Sequence, residues 1–174
     1  MNGFKFTIIS IISFLVVVLL QINIFNKLTV FGVTANLFIV YCVYNCILCD
    51  NDKLSIGIIL ISGLIYDICF GNLLGINALI GFLITILTPV FCNRVAIDTR
   101  IGMMLYVFIC TFISQIFYGA IYLILNGGIF VLDRFIIIVL ITSIYNLIIT
   151  LFVHSIFNKY LKEKDEMYKI IRRY

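Results

Sequence analysis

The sequence predicts an all-α integral membrane protein built as a bundle of six transmembrane helices. Three observations carry that prediction. Hydrophobic residues make up 64% of the 174 positions, and mean hydropathy is +1.23. Charged residues are only 11%, against about 25% in an average soluble domain. The apolar runs are continuous, whereas barrel strands would alternate over segments of about 10 residues. A water-soluble fold needs a polar skin, and 8 acids with 12 bases cannot supply one at this length. Soluble enzymes and nucleic-acid-binding modules are excluded on that ground, and disorder is excluded by high apolar content with low charge.

A helix needs about 20 apolar residues to cross the hydrocarbon core. Six runs qualify, at residues 6–25, 33–49, 54–70, 73–91, 101–125 and 135–157. The separators carry turn formers: Asn26 and Lys27, Asp50 to Lys53, Gly71 and Asn72, Asn93 to Arg100, and Asn126 to Gly128. The first run is longer than a signal-peptide core and has no small-x-small site after it, so it is expected to be retained. Residues 1–157 therefore form one transmembrane domain, followed by a short basic tail at 158–174.

Orientation follows from the basic residues. With six spans both termini share a side, and that side holds Lys5, Lys53, Arg94, Arg100, Lys159, Lys162, Lys164, Lys169, Arg172 and Arg173. The other side holds Lys27 and Arg134. Both termini are expected to be cytoplasmic. In the tail, Tyr160, Leu161, Met167, Tyr168, Ile171 and Tyr174 fall on one helical face. Lys162, Asp165, Glu166, Lys169, Arg172 and Arg173 fall on the other. That pattern predicts an amphipathic helix continuing the last span, held by anionic lipid or docking a cytoplasmic partner.

Few residues carry chemistry. Cys42, Cys46 and Cys49 share one face near the inner end of the second span. With no histidine nearby they read as packing residues rather than metal ligands. His154, the single histidine, is expected at the inner interface. No nucleophile elbow, zinc-protease motif, P-loop or dinucleotide fingerprint is present, so no catalytic residue, cofactor or metal is expected.

Asp67 stands apart as an acid within an apolar run, flanked by Gly63 and Gly71 on one ridge of the helix, a spacing that lets another helix approach closely. Gly75 follows at the same interval. An acid in the bilayer marks a bundle interior or a pore mouth. By depth, Gln21, Asn36 and Asn77 share its level in the outer leaflet. Unsatisfied polar atoms are costly in hydrocarbon, so these four are expected to converge. The cluster is either a small binding site or a lock on the bundle.

Residues 63–79 read GLIYDICFGNLLGINAL. This run resembles the signature of the rod shape-determining protein MreD family, G-L-x-x-D-x-x-x-G-x-x-x-G-x-N-A-L, with Gly63, Leu64, Asp67, Gly71, Gly75, Asn77, Ala78 and Leu79 in the matching places. The LLQ ending at Gln21 and the FGVTANL of residues 31–37 also resemble the family's first loop, with Ala35 where the family commonly has proline. The resemblance implies a non-catalytic, multi-pass scaffold of the bacterial cytoplasmic (inner) membrane. Its partners would be an MreC-like bitopic protein, the actin-like MreB, and the RodA–transpeptidase pair that builds lateral peptidoglycan, with membrane lipid and no nucleic acid. The family is similar in fold to the substrate-binding subunits of energy-coupling-factor vitamin transporters, which gives the alternative expectation of such a subunit.

Overall fold

Away from water, a helix satisfies every backbone polar group within its own segment, so apolar runs of this length fold as helices. The computed structural model of the protein describes residues 3–49, 52–70, 74–97, 99–125 and 132–172. It contains α1 (Gly3–Leu20), which runs into a π-helical turn (Gln21–Phe25), then α2 (Leu37–Leu48), α3 (Asp52–Phe70), α4 (Ile76–Cys92), α5 (Arg100–Leu125) and α6 (Leu132–Arg172). Among the described residues there is no strand, only an isolated pairing of Val30 with Val33. The separators at Asp50, Gly71, Asn72 and Asn126 to Gly128 lie outside the described residues.

Among the described residues four segments are long and apolar enough to cross a membrane: Gly3–Phe25, Lys53–Phe70, Arg100–Ile124 and Arg134–Lys162. The helices α2 and α4 are shorter. The second differs most from the sequence expectation, because a helix of 12 residues rises only about 18 Å, well short of a core about 30 Å thick. The helix begins late because the chain first makes a tight reversal. Val30 and Val33 exchange backbone hydrogen bonds of 3.1 and 3.0 Å, with Phe31 and Gly32 at φ +51° and +76° between them.

Short as it is, α2 is the axis of the molecule. It packs against all five other helices, and ten of its residues are buried. Phe38, Ile39, Cys42 and Val43 have no exposed surface. The cysteines of α2 are packing residues in this setting, with Cys46 Sγ donating to Thr85 Oγ1 at 3.4 Å. Tyr41, Asn45 and Ser10 form a buried polar triad that ties α2 to α1, with Tyr41 Oη 2.8 Å from Ser10 Oγ and the Asn45 amide donating to the same hydroxyl. Opposite it, Thr88 Oγ1 meets Tyr106 Oη at 2.8 Å and ties α4 to α5.

The most extensive helix–helix packing is between α3 and α4. A Cβ on Gly63 would sit 2.5 Å from Ala78 Cα and 2.7 Å from Ala78 N. Only glycine permits that approach of two backbones. Its ridge partner Gly71 lies outside the described residues. Gly75 touches α3 through its backbone, its N–H donating to Asp67 Oδ2 at 2.9 Å. A Cβ there would meet nothing within 4 Å, and its φ of +95° shows that it serves the turn into α4.

The last helix runs without a break through the end of its apolar stretch into the basic tail. Helical periodicity put Asp165 on the solvent face with the bases. The structure instead buries it completely, and its Oδ1 accepts the Ile97 N–H at 3.1 Å. The buried backbone of the α4–α5 loop needs an acceptor, and that demand overrides the surface preference of a carboxylate. Leu161 is buried beside it and Lys162 is exposed. The side chains of Lys169 and Arg172, and the whole of Arg173, lie outside the description. His154 is buried within the bundle.

Candidate functional site: a polar cavity at one end of the bundle

The π-helical turn of α1, the C-terminal end of α3, the N-terminal ends of α2, α4 and α6, and the second half of α5 meet at the end of the bundle away from both termini. They enclose a cavity of about 660 Å³. All four residues of the expected cluster, Gln21, Asn36, Asp67 and Asn77, line it, but they do not form one hydrogen-bonded group. They divide into three sets, each holding a piece of backbone in place.

In the first set Asp67 caps α4. A helix leaves its first four N–H groups without internal partners. The residue at the cap position of α4 is Gly75, which has no side chain to offer. Asp67, reaching across from α3, takes its place. Its Oδ2 accepts from Gly75 N at 2.9 Å and Asn77 N at 3.1 Å, and its Oδ1 accepts from Asn77 Nδ2 at 2.7 Å. The negative charge lies at the positive end of the helix dipole, where it is favoured. Asn77 Oδ1 then accepts from Tyr118 Oη at 2.7 Å, which extends the set to α5. Asp67 is 1% exposed, and its charge is met by the backbone and an amide rather than by Lys27 or Arg134, both of which are exposed.

The second set is built on Gln21, which the π-helical turn directs inward. Its Nε2 donates to Ala35 O at 3.0 Å and Asn26 Oδ1 at 3.1 Å, while its Oε1 accepts from Leu37 N at 3.3 Å. One side chain thus pins both the loop before α2 and the first N–H of that helix. In the third set Asn36 meets Asn146 rather than Asp67. Asn36 N donates to Asn146 Oδ1 at 3.2 Å, and Asn146 Nδ2 donates to Thr111 Oγ1 at 3.0 Å, so one buried amide joins α2, α5 and α6.

Sequence reasoning missed Asn146, Tyr118 and Gln115. Each lies in an apolar run, and nothing in its own neighbourhood marks which neighbour it faces. Asn146 has no exposed surface and Gln115 is 8% exposed. A depth count carried through α5 and α6 would have placed Gln115 and Tyr118 near the level of Asp67. Among the described residues no three His, Cys, Asp or Glu side chains are gathered as a metal site, and all six cysteines are free thiols.

The signature read in the sequence therefore describes one object, the α3–α4 hairpin. Gly63 lets the helices touch, Gly75 turns the chain, and Asp67 with Asn77 closes the helix end. No curated protein and no solved structure matches the chain. The sequence profile described as rod shape-determining protein MreD matches residues 2–164, nearly the whole length, and the chain belongs to that family.

Proposed function

We propose that the protein is a non-catalytic scaffold of the bacterial elongation machinery, set in the cytoplasmic membrane with both termini inside. Membership of the family places it in rod-shape determination and makes it a multi-pass membrane protein. The observation that supports the finer reading is where the signature residues go. Gly63, Asp67, Gly75 and Asn77 are all used to hold α3 on α4, as a protein whose task is to present fixed surfaces requires.

Two such surfaces are available. In the membrane, α1 is the least buried of the spans and presents Ile8, Ile11, Ile12 and Leu15. This face suits the transmembrane helix of an MreC-like bitopic protein, and the RodA–transpeptidase pair would gather on the same assembly. Inside the cell, the α6 extension, anchored through Asp165, suits actin-like MreB or anionic lipid. The family match gives no support to the vitamin-transporter reading.

Depletion in the source organism tests the proposal. Rod-shaped cells should round up and lateral peptidoglycan incorporation should fall. Cells that stay rod-shaped while depleted would overturn it. Orientation is tested separately with a C-terminal reporter, which should be active only on the cytoplasmic side.

A further inference from the structure

The hydrogen-bond inventory of the cavity is uneven. Asp67, Asn77 and Gln21 have their capacity taken up by the protein. Gln115 and Thr142 do not. Both line the cavity and are more than nine-tenths buried, at 8% and 2% exposure. Neither side chain has a hydrogen-bond partner among the described residues. A helical threonine ordinarily satisfies its hydroxyl on the carbonyl four residues back, as Thr85, Thr88, Thr111 and Thr150 all do here. Thr142 departs from that habit where its helix borders the cavity. Buried polar groups in native proteins are almost always paired. The polar atoms of Gln115 and Thr142 open onto a cavity of about 660 Å³, where water or a ligand completes the pairing, and Asn36 on the same lining has its Oδ1 buried with no partner among the described residues. Ligand pockets typically measure about 300–1,000 Å³.

The lining also restricts what can bind. No Lys or Arg lines the cavity among the described residues, so an anion finds no counter-charge. The one carboxylate is engaged by three donors, so a cation would have to displace a helix cap. Rings from Tyr66, Phe70, Tyr118 and Tyr122 stand around the same space, with Tyr66 and Phe70 centroids 4.6 Å apart. Flat aromatic walls accept the C–H faces of a saturated ring. A carboxamide and a hydroxyl, each both donor and acceptor, suit the ring's polar edge.

We propose that this cavity is a binding site for an uncharged sugar-ring-sized molecule bearing hydroxyl or amide groups, held at its edge by Gln115 and Thr142. The inference stands on the cavity alone and does not depend on the scaffold reading. The same chemistry is offered by a soluble sugar and by the headgroup of a glycolipid.

The test is calorimetric titration of the full chain in lipid nanodiscs prepared without glycoside detergent. Four soluble probes share one ring: methyl β-D-glucopyranoside and N-acetylglucosamine are neutral, glucosamine is cationic, and glucuronate is anionic. Octyl β-D-glucoside, added below its micellar concentration to glycolipid-free discs, presents the ring on a chain. At least one neutral ring should bind saturably, and both charged rings should bind at least tenfold more weakly. Binding of the soluble glycosides assigns a free sugar, whereas binding of the octyl glycoside alone assigns a glycolipid headgroup.

Gln115→Leu and Thr142→Val should each weaken binding roughly tenfold, the effect of one lost hydrogen bond. Ile138→Trp, which fills the cavity from its lining, should abolish binding while the polar pair is kept. Unfolding temperature in the same discs is measured for each variant, so that a folding defect is recognised. Absence of binding by every neutral probe, equal binding of the charged rings, or undiminished binding by folded Gln115→Leu and Ile138→Trp proteins would each overturn the proposal.

Discussion

Replacing Asp67 separates the two ways in which its carboxylate acts. In Asp67→Leu the shape is roughly kept, but three donors lose their acceptor: Gly75 N–H, Asn77 N–H and one Asn77 amide hydrogen. Each unpaired buried donor costs about 1–3 kcal/mol. The site borders a cavity through which water reaches part of it, so the lower half of that range applies and the sum is about 3–6 kcal/mol. Net stabilities are only about 5–15 kcal/mol, so this variant should be severely destabilised.

Asp67→Asn is milder for a specific reason. The new amide can still accept from the α4 backbone through its oxygen. Its nitrogen can donate to Asn77 if that side chain turns over, and the turned Asn77 then offers its own NH₂ to Tyr118 Oη, which can accept. What is lost is the charge at the helix terminus and the charge-assisted character of the bonds, about 1–2 kcal/mol. Reversible unfolding of the purified variants in mixed micelles should therefore rank wild type, Asn, then Leu, with the larger gap before Leu. Equal stability of the Leu and Asn variants would refute the capping account. A fully stable Asn variant that fails to restore rod shape would show that the charge itself is read by a partner.

Three further substitutions test the packing. Gly63→Ala forces a methyl against the Ala78 backbone, which has no flexible side chain to give way. It should cost at least the roughly 1–3 kcal/mol of an overpacked core, read as a lower unfolding temperature, and Gly63→Leu should prevent folding. Asn146→Leu strands the Asn36 N–H and removes the donor to Thr111 Oγ1, whose hydroxyl keeps its bond to Val107 O. It should cost roughly 1–3 kcal/mol by the same unfolding assay. Asp165→Ala removes an acceptor of the buried Ile97 N–H. It should speed hydrogen exchange around residues 94–99 while leaving the cavity end protected, and unchanged exchange there would show that the tail is not docked.

The parts of this structure legible in the sequence are those whose signal is local. Lipid as solvent makes helical class a matter of counting apolar residues. The α3–α4 hairpin was legible because Gly63, Asp67, Gly75 and Asn77 lie within a few turns of one another. The brevity of α2 was not, since hydropathy cannot distinguish a helix surrounded by protein from one surrounded by lipid, and the apolar residues from Val33 onward read as one span. Depth counting brought Gln21, Asn36, Asp67 and Asn77 to one cavity, but it carries no information on pairing. Asn36 therefore meets Asn146 rather than Asp67. Asp165 was illegible for the opposite reason. Its neighbours are charged, so periodicity assigned it to solvent, while the buried N–H that recruits it lies 68 residues away.

The short central helix and the cavity have one cause. A rise of about 18 Å leaves α2 about 12 Å short of a core about 30 Å thick, and the loop of residues 26–36 leads into its N-terminal end. Irregular backbone within such a core is tolerated only when protein or a lined cavity satisfies it. Gln21 and Asn146, neutral amides from α1 and α6, supply acceptors for the Leu37 and Asn36 N–H groups. At α4, where the cap glycine has no side chain, a carboxylate does the same. Both helices thus end at the cavity wall with their first N–H groups engaged. Asn36 Oδ1, at the start of α2, has no partner among the described residues, whereas Gln115 on α5 and Thr142 on α6 belong to helices that continue past the wall. A helix interior needs no cap, so these two side chains have no part in closing the fold around the cavity.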